Sequence, residues 1–390
     1  VTITGLTGSQ TPSSSSFSVQ SSPSKLGTSG VWNDDGTLIL TASSGGVTSN
    51  TSTEVTFTLI NTAGNQNSPS VSVQATIQDG SGTSIGTIAQ AGMELNGAAL
   101  YEVSDGYKPL QVVVPVFSVS AVGQSTPVAG ESNVLTVTLE CSTNQIPAGS
   151  IITVTGLSGS STGTDGSLPV TRNPTGGIPG QGDWNIGGTL KLTVNGTGLA
   201  KSNTYTAAIT VTNPTVDQSS PVVGVEVSLQ DGSSALGSMA QVNLTKPDTD
   251  LYGVANGRNP LEVLVPAFTV KTIEQSTPFA GASNGLTVTL TSNYDLADGS
   301  NVTITGLTGS QTATSSSLSV QSSASKLGTT GVWNDDGTLI LTASSGGVTS
   351  NTSTEVTFTL TNSAGNQNSP SVSVQATIQD GSGTSIGDIA

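Results

Sequence analysis

The chain has 390 residues, 33% of them hydrophobic and 4% aromatic, and its 25 acidic residues outnumber its 9 basic residues to give a formal net charge of −16. Nucleic acid and anionic lipid head groups are bound by clusters of Lys and Arg, so this composition argues against both as partners. Histidine is absent and Cys141 is the single cysteine, which excludes an intramolecular disulfide, a cysteine-cluster metal site and a His-dependent catalytic triad.

Internal repetition organises the chain. The phrase around Gly5 recurs around Gly156 and Gly306, at spacings of 151 and 150 residues. Residues 1–89 and 302–390 align without a gap and differ at eight positions, whereas the middle copy shares only a framework with them. A repeat of this length is typical of one domain.

This period predicts three domains in tandem. Residues 1–115 form a repeat lacking its N-terminal strands, residues 116–266 a complete repeat, and residues 267–390 a repeat lacking its C-terminal part. The near identity of the outer copies indicates recent duplication within a longer array of alternating repeats. The alternative is that these ends are native and that neighbouring chains complete each other's domains by strand exchange.

Alternation of apolar and polar residues predicts strands in every repeat. In the segment EVTFTLI, Val55, Phe57 and Leu59 share one face, and the middle copy alternates in the same way through TYTAAITVT. No segment carries a sustained apolar stripe of helical period, so little or no helix is expected. Roughly seven to nine short strands per unit, separated by Gly, Asn, Asp and Ser turns, predict an all-β chain of tandem immunoglobulin-like β-sandwich domains joined end to end.

The domain junctions are predicted at two related apolar segments. VVVPVFSV contains Pro115 and VLVPAFTV contains Pro266. Proline lacks a backbone N–H and suits a strand edge or a crossing between sandwiches, and the apolar residues around it are expected to bury the junction and stiffen it. Tyr101 and Tyr252 occupy equivalent positions and are expected to pack nearby.

The lead-in QSTPVAGESNVLTVTL from Gln124, its copy from Gln275, and the phrase VTITGLTGSQT together resemble a known class of repeat. They are similar to the tandem immunoglobulin-like repeats of large extracellular surface and filament proteins, including algal-type surface or flagellar hair proteins. The resemblance covers essentially the whole chain. It implies an extracellular or cell-surface location and a structural role.

Five Asn-x-Ser/Thr acceptors have no Pro in the middle position: Asn50, Asn195, Asn243, Asn301 and Asn351. Chance matches are the alternative in a chain so rich in Asn, Ser and Thr, and Asn50 and Asn351 are equivalent copies. The Ser/Thr run over residues 11–24 resembles O-glycan acceptors, with a flexible solvated loop as the other interpretation. We expect covalent glycans on a secreted chain and no other cofactor.

Paired carboxylates occur in the segment WNDDGT, at Asp34 with Asp35 and at Asp335 with Asp336. Hard cations such as calcium need several oxygen ligands, but the middle copy reads WNIGGT and lacks both acids. We therefore favour a hairpin turn carrying Asp-Gly and predict no metal-binding residue.

The three tryptophans recur at equivalent positions beside this turn, at Trp32, Trp184 and Trp333. We expect core anchors rather than sugar-stacking platforms. Cys141 ends a predicted strand and is expected to be half-buried. A catalytic thiolate at this position lacks a histidine to activate it, so no catalytic residue is predicted.

Three functions follow, in order of support. The first is a structural component of an extracellular filament, stalk or surface layer, assembled from identical or neighbouring repeats and glycosylated. The second is the repeat region of a surface adhesin that binds carbohydrate or ice through a Thr-rich face. An enzyme comes last, because no carboxylate pair recurs in all copies. No stretch approaches the ~20 apolar residues of a membrane span, so direct membrane insertion is not expected.

Overall fold

The computed structural model describes residues 1–43 and 45–390 and contains tandem β-sandwich domains. The first unit comprises β1 (Thr2–Thr4), β2 (Ser14–Ser18), β3 (Gln20–Ser22), β4 (Ser29–Asn33), β5 (Thr37–Leu40), β6 (Glu54–Thr56), β7 (Ser72–Gln78) and β8 (Ser84–Gly92). The middle unit comprises β9 (Phe117–Gln124), β10 (Ser132–Cys141), β11 (Ile151–Thr155), β12 (Asp165–Asn173), β13 (Gln181–Asn185), β14 (Thr189–Thr193), β15 (Thr204–Thr212), β16 (Gly224–Asp231) and β17 (Ser234–Asn243).

The third unit repeats the plan of the middle unit with nine strands. They are β18 (Phe268–Gln275), β19 (Ser283–Ser292), β20 (Asn301–Thr305), β21 (Ser315–Ser322), β22 (Thr330–Asn334), β23 (Thr338–Thr342), β24 (Thr354–Thr361), β25 (Ser373–Gln379) and β26 (Ser385–Ile389). A single 3₁₀ turn at Ser323–Ser325 is the only helical element in the described part of the chain. The predicted all-β fold class is confirmed.

One strand joins the two layers of each complete sandwich. In the middle unit the order is β9-β10-β15-β12 in one layer and β12-β13-β14-β11-β16-β17 in the other, with antiparallel neighbours throughout. The first part of β12 pairs with β13, and Val170–Asn173 pair with β15. In the third unit β21 has the same double role.

Each sandwich buries a core in which a tryptophan is the largest side chain. Trp32, Trp184 and Trp333 are all 0% exposed. Their indole N–H groups donate to backbone carbonyl oxygens, as from Trp32 to Thr11 at 3.0 Å, so the polar end of each ring is satisfied inside the core. The prediction of core anchors is confirmed.

The first unit is paired less extensively than the third. Here β6 spans only Glu54–Thr56 and pairs with β3, whereas the equivalent β24 lies between β19 and β21. Phe57 is accordingly half-buried, while its equivalent Phe358 is buried at 3% exposure. The alternation was read correctly, but the strand is shorter than predicted because it lacks a second pairing partner among the described strands.

Two local predictions have clear outcomes. Asp34 and Asp35 lie in the β4–β5 hairpin turn, where the Asp35 carboxylate accepts the Thr37 amide at 2.9 Å, so the hairpin interpretation is confirmed. Cys141 is 3% exposed, so the expectation of a half-buried position was wrong. Its side chain faces the interior at the end of β10 and belongs to the middle core.

Candidate functional site at the domain junctions

Two long connecting segments lead from one unit to the next. The first connecting segment covers residues 93–116 between β8 and β9, and the second covers residues 244–267 between β17 and β18. Each contacts the units on both sides, so the predicted boundaries at residues 115 and 266 stay predictions. Each also carries a tight turn, centred on Tyr101 or Tyr252, that reaches the following unit.

At the first junction, between the first connecting segment and the middle unit, the contacts are polar. The Tyr101 carbonyl accepts the Gln145 amide at 2.8 Å, and the Tyr101 hydroxyl donates to the Asp231 carboxylate at 2.8 Å. The Glu102 carboxylate accepts the Lys201 amide. Leu100 and Val103, which flank this turn, are only half-buried.

At the second junction, between the second connecting segment and the third unit, the backbone contact is repeated. The Tyr252 carbonyl accepts the Asp295 amide at 2.9 Å, and the Ser350 hydroxyl donates to the Gly253 carbonyl at 2.9 Å. The Asn293 side chain accepts the Ala267 amide at 2.7 Å and donates to the Val265 carbonyl at 2.8 Å. The third unit is therefore hydrogen-bonded to the segment at two places, near Tyr252 and near Ala267.

Tyr294 gives the second junction a buried centre. Its ring is 0% exposed, and its hydroxyl lies 2.7 Å from the Leu264 carbonyl and 3.1 Å from the Pro127 carbonyl of the middle unit. Val128 and Val254 are buried against the core of the third unit. Tyr294 was not predicted from the sequence. The available signal was its aromatic side chain, because the corresponding loop of the middle unit has a polar residue at this position.

Burial raises the pKa of the Tyr294 phenol above its ordinary value, and the nearby negative charge of Asp217 raises it further. The hydrogen bond with the Leu264 backbone lowers the pKa by a smaller amount. The pKa of Tyr252 is also raised by burial, with a further contribution from Asp380. At the first junction burial raises the pKa of Tyr101, as does its hydrogen bond with Asp231. Neutral phenols are therefore favoured at both junctions.

The apolar residues around the two prolines, which are expected to bury the junctions, do so in part: Val263 and Phe268 are buried, at 3% and 7% exposure. Val114, Val116, Val265 and Val270 are 36–46% exposed. The predicted proximity of Tyr101 and Tyr252 to the junctions is confirmed by the contacts above. The connecting segments contact the next unit through their turns, where Leu251 and Val254 are buried but Leu100 and Val103 are half-buried.

The five candidate glycan acceptors are all exposed. Asn50 and Asn351 lie in turns with left-handed backbone, and Asn195 lies in the loop after β14. Asn243 ends β17, and Asn301 begins β20, where its side chain accepts the Thr342 hydroxyl at 3.0 Å. Across the described residues no hydrogen bond joins any two of the five, so they are separate acceptor positions; their glycosylation stays a prediction.

Other side-chain groupings are sparse. Among residues 1–43 and 45–390 no cluster of three or more Cys, Asp or Glu side chains has the arrangement of a metal site. In the same residues no helix is long and apolar enough to cross a membrane.

Comparison with known proteins gives structural likeness only. No protein-family model matches the chain, and no curated protein matches its sequence. The collagen adhesin of S. aureus is 13% identical, with 71% of this chain and 90% of that chain covered and a TM-score of 0.21.

Two further solved structures are similar at the same level. A partial N-terminal region of an enterococcal surface protein is 10% identical, covering 69% of this chain and 91% of that chain, with a TM-score of 0.21. The B domain of a biofilm-associated protein is 11% identical, covering 69% and 83%, with a TM-score of 0.21. At these scores the likeness carries no inference about the function of this chain.

Proposed function

We propose that this chain is a repeat region of an extracellular surface protein, in which β-sandwich units joined end to end form the shaft of a filament or stalk. The observation that carries the proposal is the second junction. There Tyr294, Asn293 and Ser350 bond to backbone carbonyls of the preceding segment and unit. A shaft needs fixed angles between its units, and a buried, hydrogen-bonded junction supplies them.

The surface chemistry supports the same proposal. Charged residues make up only 9% of the chain, and the exposed surface is rich in Ser and Thr. The five exposed Asn acceptors would carry covalent glycans in a secreted form. We propose no catalytic activity and no other cofactor, with identical or neighbouring repeats as the partners. An algal-type surface or flagellar hair protein is the finer form of this proposal.

Small-angle X-ray scattering of the 390-residue chain tests the shaft. Strands of about 8–12 residues at ~3.3 Å each give a unit length of ~30–40 Å, so a rod of roughly 100 Å is expected. A pair-distance distribution typical of freely jointed units would contradict a stiff shaft. Tyr294→Phe, which keeps the ring but removes its hydroxyl, tests whether the junction sets the stiffness.

Immunogold electron microscopy of the native source, with antibodies raised against the chain, tests the location. Label along surface fibres, together with an intact mass above that of the polypeptide, supports a glycosylated extracellular filament. Label confined to the cell interior contradicts it. Saturable binding of the isolated chain on a glycan array, without fibres, would favour the adhesin instead.

A further inference from the structure

The outward side of β4, β5, β1 and β7, together with its equivalent in each other unit, is called the hairpin face here. In the first unit Val31 pairs directly with Ile39, and the same row continues through Thr2 to Gln74. Residues paired across neighbouring strands lie on one face of a sheet. Val31 and Ile39 are 38% and 39% exposed, so the row presents an apolar pair and two uncharged polar side chains.

The third unit repeats this row and the middle unit replaces it. In the third unit the row consists of Val332, Ile340, Thr303 and Gln375. In the middle unit it consists of Asp183, Lys191, Thr153 and Glu226. Val332 is 41% exposed, so the apolar residue is as accessible in the nine-stranded third unit as in the first. The apolar row is therefore a property of the two outer units.

Charges of opposite sign lie at the two ends of the hairpin face in the outer units. Asp34 and Asp35 are exposed in the β4–β5 turn. Lys25 lies beyond the other end of the hairpin, where its carbonyl accepts the Ser43 amide at 2.8 Å. The third unit has the same charges at Asp335, Asp336 and Lys326. The middle unit is neutral at the equivalent positions Ile186, Gly187 and Gly177, so its charges lie in the centre of the face instead.

We propose that the hairpin face of an outer unit packs against the same face of a second copy of the chain, with the strands of the two copies antiparallel. This orientation places the Asp34 end of each copy opposite the Lys25 end of the other, whereas a parallel orientation places acid against acid. Packing on a middle unit would bury the charges of Asp183 and Lys191 against the apolar pair, which is unfavourable. The contact therefore selects outer units as partners.

The size of the face fits a contact that uses both outer units. Four strands about 4.8 Å apart and about 20 Å long present roughly 400 Å². A specific interface buries about 800 Å² per partner, so two faces on one chain provide what one face does not. Once one face is engaged, the second contact forms within the same complex and strengthens the association. The inference rests on the proposed function, because it names the face through which neighbouring repeats associate.

Analytical ultracentrifugation of the full 390-residue chain tests the association. The chain is produced without glycans, because Asn301 pairs with Thr342 at the border of the hairpin face of the third unit and a glycan there would cover part of it. The average mass should rise with concentration. A chain that stays monomeric at every concentration would overturn the proposal.

Paired variants locate the contact. Val31→Asp with Val332→Asp introduces the residue that the middle unit has at this position, Asp183, and should weaken association at least about tenfold. Val134→Asp with Val222→Asp adds the same two charges at valines of the middle unit that are 37% and 69% exposed, and should associate as the unaltered chain does. Circular dichroism verifies that both variants fold. Equal weakening by the two pairs would place the contact elsewhere.

A charge exchange tests the antiparallel orientation. Lys25→Glu with Lys326→Glu should weaken association, and so should Asp34→Lys with Asp335→Lys, because each variant places like charges opposite each other. Asp35 is left unchanged, since its carboxylate accepts a backbone amide in the turn. Mixing the two variants restores opposite charges at both ends and should restore association. A mixture that associates no better than either variant alone would contradict the antiparallel arrangement.

One natural difference between the outer units gives a smaller test. Asp388 on the edge strand β26 pairs with Thr377, one row from Gln375 towards the Lys326 end, and its equivalent in the first unit is Thr87. This carboxylate would lie nearer the acidic end of the second copy. Asp388→Thr should therefore strengthen association, and an unchanged or weaker association would contradict the orientation.

The results distinguish this inference from the proposed function. Small-angle scattering at low concentration measures the stiffness of a single chain, whether or not copies associate. A stiff monomer that never associates would overturn the hairpin-face contact and leave the shaft supported. A flexible chain that associates through the hairpin face would contradict the shaft and support the contact.

Discussion

The two junctions have the same plan but different contents. Both place a left-handed tyrosine turn against the next unit, and both use the tyrosine carbonyl to accept a backbone amide. The first adds side-chain hydrogen bonds from Tyr101 and Glu102 at an accessible surface, whereas the second adds the buried ring of Tyr294. The common bond gives the turn the same position at both junctions, and we expect the buried ring to couple the units more strongly at the second.

Replacing the buried ring should have the largest effect. Tyr294→Ala removes a fully buried aromatic side chain and two hydrogen bonds, so the third unit should lose about 3–5 kcal/mol of unfolding free energy. Hydrogen exchange with mass spectrometry on the full chain resolves the third unit from the others. Unchanged protection of β19 and β24 would contradict a stabilising role for the ring.

A methyl group at Gly253 should weaken the second junction. The glycine has a φ of 77°, and a Cβ there would overlap the Ser350 hydroxyl and the Asp295 carboxylate. Gly253→Ala should lower the free energy of unfolding of the second junction by roughly 1–3 kcal/mol. Hydrogen exchange would detect this loss as faster exchange of the Asp295 amide.

The matched control is the equivalent position in the first junction, Glu102, which has a φ of 60° and already carries a side chain. Glu102→Ala retains the Cβ and removes only the carboxylate contact with Lys201. If it disturbed its junction as much as Gly253→Ala disturbs the second, steric overlap would not be the cause.

Alkaline pH should affect the second junction through Tyr294. Burial raises its pKa above the ordinary value of about 10, so the folded chain keeps a proton that the unfolded chain loses. The resulting stability is fully present below pH 10 and falls by about 1.4 kcal/mol per pH unit as the pH rises above it. Urea unfolding from pH 8 to 11 should show a steeper decline for the unaltered chain than for Tyr294→Phe. Parallel declines would show that this tyrosine ionises as it does in the unfolded chain.

The smallest effect is expected at the first junction. Tyr101→Phe removes one hydrogen bond to Asp231 at an accessible surface. The free energy of unfolding should fall by less than about 1 kcal/mol. Asp231→Ala removes the acceptor and completes a double-mutant cycle. A loss comparable to that of Tyr294→Ala would remove the distinction between the junctions.

Sequence periodicity predicted the strands well because alternation reports which side of a sheet is buried. It identified the strand Glu54–Thr56, the hairpin at Asp35 and the core position of Trp32, each of which depends on nearby residues. It gave half-burial for Cys141, because the last residue of a strand can face either way until the covering layer is known.

The junctions were harder to predict because they depend on residues far apart in the chain. Tyr294 contacts a carbonyl at Pro127, and Gln124 contacts the segment around Leu261. Neither contact is signalled by a local sequence pattern, and the valines before Pro266 include both the buried Val263 and the exposed Val265. The Asn-x-Ser/Thr pattern identified five acceptors, and all five are exposed. Exposure alone does not determine which of them carry glycan.

The strand shared between the two layers, β12 in the middle unit and β21 in the third, has a mechanical consequence. Because each is hydrogen-bonded to both layers, tension on one layer is transmitted directly to the other, and neither can peel away intact. We therefore expect the middle and third units to rupture as wholes when they are stretched by their ends. With a spacing of about 150 residues between units, each rupture would release on the order of 500 Å of contour length, so a stretched chain would lengthen in discrete steps.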